Sequence, residues 1–132
     1  MEEAHDNSFR FSGWLVKWPL DRKRGSHQRR FFLLTNEGKM VYYENVEKFQ
    51  EDEARIKKSG DVKVRKFQKG QVDLNGFTTI SRYAISEGGK NLNVLRLHNG
   101  EHELLFQGES EANEEEWIAR INDLICQLRD QG

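Results

Sequence analysis

One amphipathic stripe closes this chain. Trp117, Ile121, Leu124, Ile125 and Leu128 recur at i, i+4, i+7, i+8 and i+11, the spacing of a single α-helical face. Ser110 stands where an N-cap is needed, and Glu111, Glu114, Glu115 and Glu116 fall near the positive end of the helix dipole. Ahead of this helix the clearest signals are short apolar runs of strand length, separated by turn residues. The stripe must be buried, and a sheet is what the rest of the chain offers. The fold class is therefore mainly β with one C-terminal α-helix, the helix covering an opening or a face of an antiparallel sheet.

Seven strands are expected. The first covers Phe9 to Trp18 and ends where Pro19 removes a ladder donor; the second covers Arg29 to Thr35. A turn through Asn36-Glu37-Gly38-Lys39 leads to the third, Met40 to Tyr43. Four more lie around Gly70 to Leu74, Thr78 to Ile85, Asn91 to Leu97 and His102 to Phe106. They are broken at Asn75-Gly76, Gly88-Gly89 and Asn99-Gly100, the last a strong tight-hairpin signal. Between strands 3 and 4 runs a long polar insertion, Glu44 to Lys69. Within it Val46, Phe49 and Ile56 share a helical face before Ser59-Gly60, and Glu51/Arg55 and Glu53/Lys57 are spaced for i,i+4 ion pairs, so a short helix is expected. Val62 and Val64, alternating with Lys63 and Arg65, suggest a strand end with a basic outer face.

At 132 residues, with 36% hydrophobic and 33% charged, the chain suits one domain with one core. Residues 1–8 read as a tail and 9–129 as the domain. The apolar runs are too short for a membrane-spanning helix and the acidic N-terminus is unlike a signal sequence, so an intracellular, soluble chain is expected. Cys126 is the single cysteine, which excludes an internal disulfide. His98 and His102 flank the Asn99-Gly100 turn without carboxylate or thiol support, a poor metal set, and no nucleophile, base and metal constellation is spaced for catalysis. No enzyme, metal or cofactor is expected. A recognition-helix pattern and a sheet-face aromatic signature for nucleic acid are also missing.

The net charge of −1 hides local blocks. From Lys17 to Arg30 six basic residues (Lys17, Arg22, Lys23, Arg24, Arg29, Arg30) face one acid, Asp21, for a net +5 on one hairpin loop and its flanks. Arg55 to Lys69 holds seven basic residues against Asp61, and Glu101 to Glu116 holds seven glutamates and no base. Like charge gathered on a hairpin loop is costly unless it meets an anion, although a solvated loop is the bland explanation. If the fold segregates the signs, the molecule is a dipole that orients on an anionic surface.

The order of these elements and their local words resembles the pleckstrin homology (PH) domain. The matching pieces are Gly13-Trp14-Leu15-Val16-Lys17, Arg29-Arg30-Phe31-Phe32-Leu33-Leu34, Val41-Tyr42-Tyr43, Lys69-Gly70-Gln71-Val72-Asp73-Leu74, Leu104-Leu105-Phe106-Gln107 and Glu115-Glu116-Trp117-Ile118-Ala119-Arg120-Ile121. The resemblance implies a seven-stranded, partly open barrel of two near-orthogonal antiparallel sheets, capped at one end by the helix bearing Trp117. It implies phosphoinositide headgroups held at the other end by a basic residue ending strand 1, a basic-x-Arg pattern opening strand 2 and a Tyr on strand 3. By position these are Lys17, Gln28-Arg29-Arg30 and Tyr43, with Arg22, Lys23 and Arg24 of the loop in support. Strand alternation sets Lys17 in the row of Leu15, Arg30 in that of Phe32 and Leu34, and Tyr43 in that of Val41, which predicts that all three point inward. Gln28 departs from the pattern, since an amide brings no charge to a phosphate. Trp18 is expected either to insert at a lipid interface or to pack on a neighbouring strand. The function implied is a non-catalytic module, monomeric and cytoplasmic, recruited peripherally to anionic membrane lipid. The alternative is a protein-interaction or autoregulatory module docking on a GTPase or a neighbouring domain.

Overall fold

The computed structural model describes residues 9–20, 26–60 and 65–131. The N-terminal tail, the loop cations Arg22, Lys23 and Arg24, and the expected strand end at Val62 and Val64 lie outside the described residues. The elements run β1 (Phe9–Trp18), β2 (Gln28–Thr35), β3 (Lys39–Tyr43), α1 (Val46–Ser59), β4 (Gln68–Asp73), β5 (Thr79–Glu87), β6 (Lys90–His98), β7 (Glu103–Gln107) and α2 (Glu111–Gln131). The strand order is β4-β3-β2-β1-β7-β6-β5, antiparallel throughout. Hydrogen bonding passes unbroken through all seven strands, so the halves of the expected barrel are parts of one curled half-barrel sheet that stays open between β4 and β5.

Alternation along the strands divides the apolar residues between two faces. The inner row, Leu15, Phe32, Leu34, Met40, Val72, Leu95, Leu97, Leu104 and Phe106, packs with Trp117, Ile121, Leu124 and Ile125 of α2. Trp117 is fully buried and meets Phe11 edge-on, with ring centroids 4.6 Å apart. The start of α2 is fixed as its sequence predicts: the Ser110 hydroxyl accepts the Asn113 N–H at 3.1 Å. Glu114 adds a second tie by accepting the Gly108 N–H at 2.9 Å.

The outer face carries two further clusters. Trp18 belongs to one of them, with Ile85, Val94 and Leu105. It is 6% exposed and its indole N–H donates to Gln107 Oε1 at 2.8 Å, so the packing expectation for Trp18 holds and the insertion expectation does not. The second outer cluster, Phe31, Leu33, Val41 and Tyr43, is covered by Val46 and Phe49 of α1 together with Phe67.

The insertion therefore folds as a lid on the back of the sheet. Asn45 caps α1 by accepting the Lys48 N–H at 2.9 Å, and Gly60 ends it in the left-handed region with its N–H on Ile56 O. The ion pairs differ from the expected i,i+4 spacing. Arg55 donates to Asp52 at 2.7 Å, one turn back, and Glu53 takes Arg65 at 2.7 Å in place of Lys57. Asp52, fully buried, also accepts the Phe67 N–H at 3.0 Å. That contact lies across the chain, beyond the reach of helix periodicity, and it pins the middle of α1 to the lead into β4.

Candidate functional site

β1 and β2 pair with Lys17 opposite Gln28 and Leu15 opposite Arg30, which sets Lys17, Gln28 and Arg30 on the same face as the inner core row. Lys17 and Arg30 end that row where the apolar core gives way to solvent; both are half-buried, while Gln28 and Arg29 are exposed. Arg29 points to the opposite face, where its guanidinium lies 4.1 Å from the Trp14 ring centroid and 3.5 Å from Glu109.

The expected third member is misplaced. β2 and β3 pair Phe31 with Tyr43 and Phe32 with Tyr42. Tyr43 therefore shares the outer face with Phe31, Leu33 and Val41, under α1, and Tyr42 is the tyrosine that faces Lys17. Tyr43 is fully buried, its hydroxyl accepts from Arg65 at 3.2 Å, and burial pushes its phenol up to about 12. The rows assigned from the sequence are right within each strand. What misleads is the assumption that Val41 and Tyr43 form the inner row, since β3 is apolar on both faces. A hairpin turn centred on Glu37 pairs even-numbered residues with even ones, and that signal selects Tyr42.

Lys17 Nζ sits 5.5 Å from the centroid of the Tyr42 ring. Gly70 lies opposite Tyr42 in β4, and a Cβ there would fall 2.5 Å from the phenol oxygen; only glycine lets the ring lie across the strand. Burial holds the Lys17 ammonium below its ordinary range, and the charge of Arg30 lowers it further. Burial raises the Tyr42 phenol, with Arg30 opposing. Among the described residues no carboxylate pairs with either Lys17 or Arg30, and the hydrogen bond Arg30 makes is to the carbonyl of Arg29 at 3.2 Å. Among the described residues the fold thus holds two cations close enough to repel and offers them no carboxylate.

Beside this pair opens a cleft of about 180 Å³, lined by the polar groups Lys17, Tyr42, Gln71, His102 and Glu103, the last paired with Arg96, and by Trp18, Leu20, Val72, Leu104 and Leu105. Leu20 is 58% exposed. Gln71 and His102 were not anticipated as cleft residues, because strand periodicity does not say which distant turn closes over the end of β1. No group of three or more potential metal ligands occurs among the described residues, and none of their helices is long and apolar enough to cross a membrane.

Residues 9–125 match the family model of the PH domain. Among solved structures, the PH domain of human oxysterol binding protein-related protein 11 is similar at 17% identity with a TM-score of 0.62, over 92% of this chain and 83% of that one. The C-terminal PH domain of pleckstrin, solved in complex with D-myo-Ins(1,2,3,5,6)P5, is similar at 18% identity with a TM-score of 0.58, over 89% and 95%. A part of human FAM129B/MINERVA/NIBAN2 matches at 18% identity with a TM-score of 0.62, covering 88% of this chain and 21% of that one. No curated protein sequence matches the chain.

Proposed function

Because this chain belongs to the PH domain family, we propose that it is a non-catalytic recruitment module whose cleft binds the phosphorylated inositol headgroup of a membrane phosphoinositide. The observation that carries the reading is the Lys17–Arg30 pair, two half-buried cations with no carboxylate partner among the described residues. A phosphate between them accepts charge-assisted hydrogen bonds from the ammonium and a forked contact from the guanidinium. It also offsets the Arg30 repulsion that adds to burial in depressing Lys17. The Tyr42 hydroxyl, on the same face, supplies a neutral donor. Arg22, Lys23 and Arg24 of the β1–β2 loop add attraction, and exposed Gln28 contributes an amide. The inositol phosphate found with the pleckstrin domain is a ligand of the same chemical class.

Calorimetry with a soluble inositol polyphosphate, alongside sedimentation with phosphoinositide-containing and neutral vesicles, tests this. Lys17→Ala and Arg30→Ala should each weaken binding about tenfold or more, as expected for a hydrogen bond to a charged group, with the fold intact. Single changes at Arg22, Lys23 or Arg24 should cost about 1 kcal/mol or less. Equal small losses at all five positions would replace the pocket with a diffuse basic patch. The neutral Gln28 favours a second reading, docking on a protein such as a GTPase or a neighbouring domain. That reading takes over if neither soluble headgroup nor vesicle binds.

A further inference from the structure

The His102 ring meets no hydrogen-bonding or charged partner among the described residues, yet the turn that carries it is tied down from several sides. The Asn99 side-chain oxygen accepts the N–H groups of Glu101 and His102, each at 2.8 Å. Its amide donates to the carbonyl of Asp73 at 2.8 Å, and its own carbonyl accepts from the Asn75 amide at 3.2 Å. The backbone of Asn99 closes the turn on His102 O. The β6–β7 turn is thereby fastened to the corner between β4 and β5. His102 follows the parity of Leu104 and Phe106, the inner row, and lines the cleft together with Lys17 and Tyr42. His98, the other histidine of this turn, is engaged: its Nδ1 accepts the Gly100 N–H at 3.2 Å, and it lies outside the cleft lining.

The geometry points to His102 as a direct ligand contact, the far wall of the anion cleft, donating a ring N–H to a phosphate held by Lys17 and Arg30. This inference rests on the headgroup reading above and adds to it a residue and a pH dependence. Histidine is the side chain whose charge ordinarily changes between pH 5 and 8, so a phosphate within its reach draws a proton onto the ring and is bound more tightly as that proton arrives. The charged and titratable groups around it in the cleft are Lys17 of β1, Tyr42 of β3 and Glu103, the first residue of β7. Glu103 is already taken by Arg96, and Asp73 accepts from Gln71 at 2.9 Å. Each carboxylate thus has a partner other than the imidazole, and no hydrogen bond or ion pair joins either of them to the His102 ring.

The phosphate's own second ionisation, near pH 6, works in the opposite direction, weakening its charge as the pH falls. The informative quantity is therefore the ratio of affinities of the unaltered chain and His102→Gln, which cancels the ligand's titration. Calorimetry with inositol 1,4,5-trisphosphate at pH 8.0 and 5.5 should give a ratio of about two or less at the higher pH. At the lower pH it should approach tenfold, the size of a hydrogen bond to a charged group. His98→Gln should leave the pH dependence in place. By NMR, ligand should move the titration midpoint of the His102 ring upward. A ratio that is the same at both pH values, or a midpoint unmoved by ligand, overturns the inference, while a loss of about tenfold or more in Lys17→Ala preserves the headgroup reading. Absence of binding by the unaltered chain to the soluble trisphosphate overturns this inference. If phosphoinositide vesicles are then also left unbound, the headgroup reading falls with it; if vesicles alone bind, the contact is with the bilayer surface and not with the cleft.

Discussion

Tyr42 and Tyr43 are adjacent, and strand alternation gives them opposite tasks. The Tyr42 ring lies across Gly70 beside the Lys17 ammonium, while Tyr43 is sealed beneath α1 with its hydroxyl on Arg65. Tyr42→Phe should weaken inositol phosphate binding about two- to tenfold with little change in stability. Tyr43→Phe should do the reverse, leaving affinity within about twofold and costing roughly 1 kcal/mol in urea denaturation. A pH effect follows from the same burial. The Tyr43 phenol keeps its proton to about 12 in the folded chain, whereas in the unfolded chain it ionises near the ordinary value of about 10. The unfolded state thus binds fewer protons between those values, so the contribution to stability is complete below about pH 10 and is lost as the pH rises toward 12, on the order of 2 kcal/mol. Denaturation at pH 9 and pH 11.5 should show this loss, and Tyr43→Phe should remove that share of it. The sequence made Lys17 and Arg30 legible because each extends an apolar row of its own strand. Tyr43 was misassigned because an all-apolar strand does not reveal which of its rows is covered by the barrel and which by a helix.

At the scale of elements, α1 shows where periodicity stops being informative. Its existence is written in Val46, Phe49 and Ile56 and in the Ser59-Gly60 ending, and the helix forms there. Its seat is decided by contacts no helical repeat encodes: Asp52 on the Phe67 N–H and Glu53 on Arg65. The strands and α2 were legible for the complementary reason, since burial of one face imposes a period of 2.0 or 3.6 on the residues themselves. Asp52 has no exposure, so removing it strands the Phe67 N–H and takes an ion-pair partner from Arg55. Asp52→Ala should cost about 2 to 3 kcal/mol by urea denaturation. Hydrogen exchange should rise first in α1 and the segment before β4, because the inner core and α2 do not depend on the latch. Inositol phosphate affinity should stay within about twofold, since Lys17, Arg30 and Tyr42 lie on the other face of the sheet. A tenfold loss of affinity in this variant would mean that α1 holds the cleft in shape.

Over the whole molecule, the blocks of charge in the sequence do not translate directly into a field. Of the seven glutamates between Glu101 and Glu116, five meet an arginine: Glu103 with Arg96, Glu109 with Arg29, Glu114 and Glu115 with Arg82, and Glu116 with Arg120. Folding therefore largely neutralises the acidic block in place, and the expected dipole is weaker at its negative pole than a count along the chain suggests. The positive pole is different, because Lys17 and Arg30 have no carboxylate partner among the described residues at the end of the inner row. With a net charge of −1 there is no overall attraction to an acidic bilayer, so the proposed reading relies on local groups of cations, the mouth and its loop among them. Such an attraction is screened over about 8 Å at physiological ionic strength and over about 3 Å at 1 M. Binding to phosphoinositide vesicles should accordingly fall by about tenfold or more between low salt and 0.5 M, at roughly 1 kcal/mol for each basic residue acting near the surface. The portion due to the cleft should be less sensitive, because half-buried cations in direct contact with a phosphate are screened less than exposed loop charges. A variant lacking Arg22, Lys23 and Arg24 should therefore show a shallow salt dependence with headgroup selectivity retained. A variant lacking Lys17 and Arg30 should keep the steep dependence and lose the preference for phosphoinositide over other acidic lipid. If both variants respond to salt alike, the cleft and the loop are one electrostatic surface, and the distinction between a site and its surroundings disappears.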